Sequence, residues 1–280
     1  MNTGKAVPIL VTGGTGTLGR LVVPRLQEAG HAVRVVSRQS RSAQDGVELM
    51  SGDLATGEGV EAAVDGVDVV VHLAGTAKGD EDKARHLVAA AKRTGTRHLV
   101  YISVVGADRV PVVSGVDRAM FGYFASKLGA ERVVAESGVP WTTLRATQFH
   151  ELMLTTVEKM ARLPVIPVPA RVRFQPVAGD EVAARLVELA LDAPVGLVTD
   201  IAGPRVYGMD ELVRGYLKAR GKHRLMLPIH LPGKAASALR EGANLATGPG
   251  LGRRTWEDFL ADRLTASGGR EAGVVTPHGA

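Results

Sequence analysis

Along the first half of the chain, short runs rich in Val, Ile and Leu alternate with longer stretches in which apolar residues recur every three or four positions. A run that is apolar throughout predicts a strand buried on both faces, and the longer stretches predict amphipathic helices. The alternation therefore predicts strand-helix units around a parallel sheet. The expected strands are Pro8 to Thr12, Ala32 to Ser37, Val47 to Ser51, Val67 to Leu73, His98 to Ser103 and Trp141 to Arg145. Leu18, Val22 and Leu26, spaced by four, place a helix after the first strand, and Gly30 suits its left-handed C-terminal cap. A second helix is expected from about Asp80 to Gly95, with Leu87 and Ala91 on one face. A third runs from about Phe121 to Ser137, closed by Gly138 with Pro140 beyond it.

After Thr147 the rhythm loosens. A helical stretch near Glu151 to Leu163 leads into a Pro-rich connection at Pro164, Pro167 and Pro169, then the short run Val172 to Val177 and helices near Asp180 to Leu191 and Met209 to Gly221. The expected fold class is α/β: a Rossmann-type doubly wound parallel sheet over residues 1–150, with a small C-terminal substrate lobe over 151–265 integrated with that core. Residues 266–280, rich in Gly, Ala and polar residues without periodicity, are expected to form a flexible tail.

Composition narrows the chemistry. The chain of 280 residues, 45% hydrophobic, can bury a sizeable core, and it has no cysteine, which excludes disulfides, thiolate catalysis and thiolate metal sites. The histidines show no ligand spacing on a shared helix face, so no metal is expected. No apolar run approaches the roughly 20 residues of a membrane helix, and the first strand-like run begins by Val7, so a soluble cytoplasmic protein without a cleavable leader is expected. The net charge of +5 comes from 34 Lys and Arg scattered among 29 Asp and Glu, with no basic run that interleaves aromatics. Nucleic acid is not the expected partner, and the diffuse positive field suits an anionic small molecule at least as well.

The most specific local signal is Val11-Thr12-Gly13-Gly14-Thr15-Gly16-Thr17-Leu18-Gly19, which leaves a strand and opens a helix. Glycines at 13, 16 and 19 can turn the chain sharply, bring backbone close to a pyrophosphate and let helix pack on strand. The phosphates would then meet the unpaired amides of the helix N-terminus. Thr12, Gly13, Gly16, Thr17, Leu18 and Gly19 are accordingly candidate dinucleotide-binding residues. The second strand ends in Ser37-Arg38, with Arg41 shortly after, where an acid would hold the ribose of NAD. Ser and Arg can instead receive a 2′-phosphate, which favours NADP(H) as cofactor, although solvated loop arginines would look the same. Asp53 and Leu54, after the third strand, can meet the adenine edge, and Asp53 reads equally as a helix cap. Ala74 and Gly75, ending the fourth strand, allow close passage of a cofactor or make a simple turn.

Together these residues resemble the short-chain dehydrogenase/reductase superfamily, and within it the atypical NmrA-like NAD(P)-binding branch. The resemblance spans about residues 7–265. It is carried by the Thr12 to Gly19 turn, His72-Leu73-Ala74-Gly75, Tyr101-Ile102-Ser103 and Phe174-Gln175-Pro176. It implies a catalytic Tyr and Lys four residues apart, matched by Tyr123 and Lys127 on one helix face. In that chemistry the lysine holds the nicotinamide ribose and lowers the phenol pKa, so that the phenol exchanges a proton with a carbonyl or hydroxyl. Ser103 takes the place of the family's active Ser or Thr, although Val104 and Val105 follow it, and the usual Arg-Pro after the sixth strand is Arg145-Ala146 here. Phe149 can wall the nicotinamide end and His150 can orient or protonate substrate, with Met120 at the substrate mouth. Phe149 reads equally as a structural aromatic, His150 as a surface histidine and Met120 as a core residue. The implied function is an NADPH-dependent oxidoreductase acting on a small carbonyl, quinone or related acceptor, with a non-catalytic NADP(H)-binding redox sensor as the alternative. An NAD-dependent sugar-nucleotide epimerase is disfavoured by Ser37-Arg38 and Val105. A homo-oligomer is an open possibility.

Overall fold

In chain order, β1 (Ile9–Thr12) is followed by α1 (Gly19–Glu28), β2 (Val33–Ser37), β3 (Val47–Ser51), α2 (Val60–Val64), β4 (Val69–His72), α3 (Asp80–Thr94), β5 (His98–Val104), α4 (Gly115–Ala135) and β6 (Trp141–Ala146). The second half adds α5 (His150–Met160), β7 (Val165–Pro169), β8 (Arg173–Phe174), α6 (Gly179–Leu191), β9 (Gly196–Leu197) and β10 (Tyr207–Gly208). Then come α7 (Met209–Ala219), β11 (Leu225–Ile229), α8 (Lys234–Arg240) and α9 (Trp256–Glu271). This computed structural model describes residues 7–38, 46–76 and 78–271.

Seven strands form one parallel sheet in the order β3-β2-β1-β4-β5-β6-β9. The order reverses between β1 and β4, the crevice where doubly wound sheets bind their ligands. Alternate residues of each strand serve opposite faces. Ile9 and Val11 pack with Val22 and Leu26 of α1 and with Val182 and Leu186 of α6. Leu10 lies with Val60 and Val64 of α2, Leu87 and Ala91 of α3, and Ala130 and Val134 of α4. Two elements past residue 150 thus belong to the sheet layer, since α6 shares the core of α1 and β9 pairs with β6.

The remaining second-half elements build a separate core, except α8, whose Ala235 and Leu239 pack with Val104, Val110 and Phe124. Met153 and Val157 of α5, Ile166 and Val168 of β7, Leu212 and Tyr216 of α7, and Trp256, Phe259 and Leu260 of α9 pack together. The expected Pro-rich connection is a strand, β7, paired in parallel with β11. Pro167, Pro169 and Pro228 are accommodated because each strand of this two-stranded unit has a free edge. The third helix begins at Gly115 rather than Phe121. Ser114 and Asp117 form a reciprocal cap, each side chain accepting the other's backbone N–H at 3.0 Å. Helical backbone in α9 runs through Glu271, past Ala266, where the tail was expected to start.

Candidate functional site

At the switch between β1 and β4 the ends of the strands open into a groove with two continuous halves. The outer half, of about 670 Å3, is lined by Gly13, Thr15, Gly16, Ser37, Arg38, Asp53, Leu54 and the Leu73 to Thr76 segment. The inner half, of about 470 Å3, is lined by Thr17, Leu18, Gly19, Ser103, Tyr123, Lys127 and Phe149 among others. Gly13, Gly16, Leu73 and Gly75 belong to both, so they form its waist.

The waist is shaped by missing side chains. Gly13 sits at φ +69°, and a Cβ there would lie 2.8 Å from the Ala74 amide nitrogen. A Cβ on Gly75 would lie 2.8 Å from Lys127 Nζ. These glycines keep open a cradle that side chains would fill, and the first turn of α1, which carries no acid, faces it through Thr17, Leu18 and Gly19. The donor set fits a pyrophosphate.

Thr12 does not line the groove. Its hydroxyl accepts the Leu73 and Ala74 N–H groups at 3.2 and 3.3 Å and lies 2.7 Å from His72 Nδ1, so its own proton is directed to that nitrogen. It ties β1 to the end of β4 beneath the turn. His72 is fully buried, stacked on Tyr101 at 5.3 Å between ring centroids. Burial, followed by the charge of Lys127, pushes its pKa down to about 3.

In the outer half, Asp53 Oδ1 accepts the Ala55 N–H at 2.8 Å, which orders the turn after β3 as it presents the groove wall. Arg38 is exposed on the rim, and Arg41 lies outside the described residues. Lys83, one turn into α3, also lines this half.

In the inner half, Lys127 is 3% exposed, with Nζ 3.3 Å from Asp80 Oδ2 and donating to the Ile102 carbonyl oxygen at 3.3 Å. The ammonium lies 5.1 Å from the Tyr101 ring centroid and 5.8 Å from that of Tyr123. Burial lowers the Lys127 pKa, and the Asp80 carboxylate opposes that shift. Tyr123 shares the groove with Lys127, yet the expected lowering of its phenol pKa is not found. Tyr123 is 40% exposed, yet loss of water around its hydroxyl and then the negative charge of Asp80 push the pKa up to about 12. The buried Ser103 hydroxyl lines the same half and has no hydrogen-bond partner among the described residues. Arg145, at the end of β6, is held by Glu131 through bonds of 2.9 and 2.6 Å and by Asp108 at 2.9 Å, so it ties β6 to α4 and to the segment after β5.

Phe149 forms part of the inner wall with Gln148, Glu151 and Leu152. His150 turns the other way. It is fully buried against Trp256 and Phe259, at 6.0 and 5.0 Å between ring centroids, so it belongs to the second core and not to a substrate pocket. Met120 is 45% exposed on α4 and lines neither half. Thr76, Asp80, Lys83 and Leu152 were not anticipated. Asp80 and Lys83 look in the sequence like ordinary charges of a helix start.

The sequence profile of the NAD(P)H-binding family matches residues 13–192, from the glycine turn to the end of α6. The chain belongs to this NAD(P)H-binding family. Among its relatives is a (4-alkanoyl-5-oxo-2,5-dihydrofuran-3-yl)methyl phosphate reductase of Streptomyces griseus, 33% identical over 144 residues, which cover 50% of this chain and 48% of that one. An NAD(P)H azoreductase of Xenophilus azovorans is 33% identical over 152 residues, 52% of this chain and 50% of that protein. The chain thus spans about half the length of these relatives. A ceramide reductase of Caulobacter vibrioides is 28% identical over 247 residues, 80% of this chain and 74% of that one.

The fold of this NAD(P)H-binding protein is similar to that of an NADPH-dependent quinone oxidoreductase of Escherichia coli solved with NADPH. The TM-score is 0.76 at 18% identity, over 91% of this chain and 99% of the other. It is also similar to a triphenylmethane reductase of Citrobacter sp. solved with NADP(H), with a TM-score of 0.73 at 20% identity, over 92% and 99% of the two chains. The expected α/β Rossmann class and the expected NAD(P)-binding family are both borne out, and among the described residues no helix is long and apolar enough to cross a membrane.

Proposed function

We propose that the protein is an NADPH-dependent oxidoreductase that reduces a small carbonyl, quinone or azo acceptor seated against Tyr123, Phe149 and Leu152. The observation that carries this reading is the continuity of the groove from the rim arginine, Arg38, to the buried ammonium of Lys127, with Tyr123, Phe149 and Leu152 in the same inner wall. The absence of an acid at the end of β2, where Ser37 and Arg38 line the groove, favours a 2′-phosphate. The relatives named as an NAD(P)H azoreductase and as a (4-alkanoyl-5-oxo-2,5-dihydrofuran-3-yl)methyl phosphate reductase support the reaction class.

When bound, the reduced nicotinamide supplies a hydride. The chain's own residues would do the rest. The glycine waist would admit the pyrophosphate, Lys127 would hold the nicotinamide ribose, and Phe149 and Leu152 would keep water from the inner half. Tyr123, with a pKa of about 12, keeps its proton at neutral pH. It can therefore donate to a developing alkoxide.

Fluorescence titration should show NADPH binding more tightly than NADH, and Arg38→Ala should weaken NADPH by roughly tenfold or more while leaving NADH unchanged. Equal affinities would overturn the NADP assignment. A panel of quinones, azo dyes and ketones tests turnover, which Tyr123→Phe should slow by about a hundredfold. The redox-sensor reading is favoured by one observation, that the Lys127 ammonium is committed to Asp80 and the Ile102 carbonyl oxygen rather than to the Tyr123 hydroxyl. Tight NADPH binding with no acceptor reduced would establish that reading instead.

A further inference from the structure

Asp80, the first residue of α3, is fully buried. Its Oδ1 accepts the Thr76 N–H at 2.7 Å and lies 3.2 Å from Lys83 Nζ, while its Oδ2 lies 3.3 Å from Lys127 Nζ. From α4, the hydroxyl of Ser126, the residue before Lys127, accepts the Asp80 N–H at 3.2 Å. Lys83 is in the wall of the outer half of the groove and Lys127 in that of the inner half. We propose that Asp80 is the positioning residue of the groove: one carboxylate divides between two lysines and fixes the place and the charge of one in each half. This rests on the dinucleotide reading given above.

A helix-start acid needs only backbone amides and solvent. Asp80 instead has no solvent contact, and it meets one ammonium on each oxygen. Buried charges persist only when paired, so neither partner could lose it without cost. The space is closed as well, because a Cβ on Gly75 would lie 2.8 Å from Lys127 Nζ and 3.1 Å from Asp80 Oδ2. The other groups that face Lys127 are Lys83 of α3, Glu131 one turn along α4, the neutral rings of Tyr123 and Tyr101, and the neutral His72. Asp80 is the anion in direct contact with the ammonium. Its loss would leave desolvation and Lys83 to strip the proton from Lys127.

The test reads Lys127 directly, by NMR titration of ε-13C-lysine protein without any dinucleotide, the resonance assigned by Lys127→Arg. Asp80→Asn should lower the Lys127 midpoint by about 1–3 pH units. Lys83→Met, which removes a repelling charge, should raise it. Should Asp80→Asn not fold, Asp80→Glu, which keeps the charge and displaces it, takes its place and should also lower the midpoint. A midpoint that neither variant moves would overturn the proposal. In NADPH titrations, Asp80→Asn should bind roughly tenfold or more weaker than wild type at pH 8 and recover most of that loss at pH 6. A loss that is the same at both pH values would show a merely structural role. Wild-type protein that binds no NADPH at all overturns the dinucleotide reading, and the lysine titration then decides on Asp80 by itself.

Discussion

His72 and His150 are both sealed from solvent, one beneath the glycine turn and one in the second core, and each keeps at least one ring nitrogen without a partner among the described residues. Burial holds their pKa values at about 3 and about 4, against an ordinary value of 6.5. As pH falls below 6.5, the unfolded chain takes up protons that the folded one refuses, so stability must drop through the window from about pH 6.5 to 4. Each histidine contributes on the order of 1.4 kcal/mol per pH unit in that window. Urea unfolding should therefore show a midpoint that declines from pH 7 to pH 5, and His150→Phe, which keeps the ring stack, should remove part of the slope, the buried His72 and His98 keeping the rest. A midpoint that stays level over that range would contradict the neutral burial of both rings. The sequence carried no sign of this for His150. A histidine two residues after a Gln at a strand end reads as well for a pocket as for the surface, and the deciding partners, Trp256 and Phe259, come from a helix a hundred residues on.

Among elements, α9 is held largely by one residue. Trp256 is 1% exposed, donates its indole N–H to the Leu212 carbonyl oxygen at 3.2 Å and stacks on Phe259 at 5.6 Å between ring centroids. Gly215 of α7 makes room for it, since a Cβ there would lie 3.1 Å from the indole nitrogen. Trp256→Ala should cost about 3–5 kcal/mol by chemical denaturation and loosen the second core before the sheet. Legibility followed burial. The first six strands could be read because a strand covered on both faces is apolar throughout, and each was found within two residues of its expected ends. Three helices went unread although their apolar spacing was present, Val60, Ala63 and Val64 in α2, Ala235, Ala236 and Leu239 in α8, and Trp256, Phe259 and Leu260 in α9, because each cluster is a single turn beside polar residues. β11 carries a proline and exposes Leu225 and Leu227, so neither period nor propensity marks it.

At the scale of the whole molecule, the groove's first half was legible because its glycines and strand ends are local in sequence. Its lysine pair was not, because Asp80 meets Lys127 only when α3 packs on α4. The face of the sheet that carries Ile9 and Val11 is closed by α6 rather than by any first-half helix beyond α1. A fragment ending at residue 150 leaves Val22, Leu26 and Val100 without that cover. It should show no cooperative thermal transition and should bind the dye ANS and not NADPH. A fragment that melts sharply and binds NADPH would mean that α6 is dispensable. The same packing sets an order of events during synthesis. The dinucleotide site is written almost wholly in the first 150 residues, but the sheet that shapes it keeps one side open until Gly179–Leu191 has been translated. At about 5–20 residues per second, that leaves on the order of ten seconds in which α1 waits on the ribosome for its partner helix, an interval in which a chaperone would find its apolar face exposed.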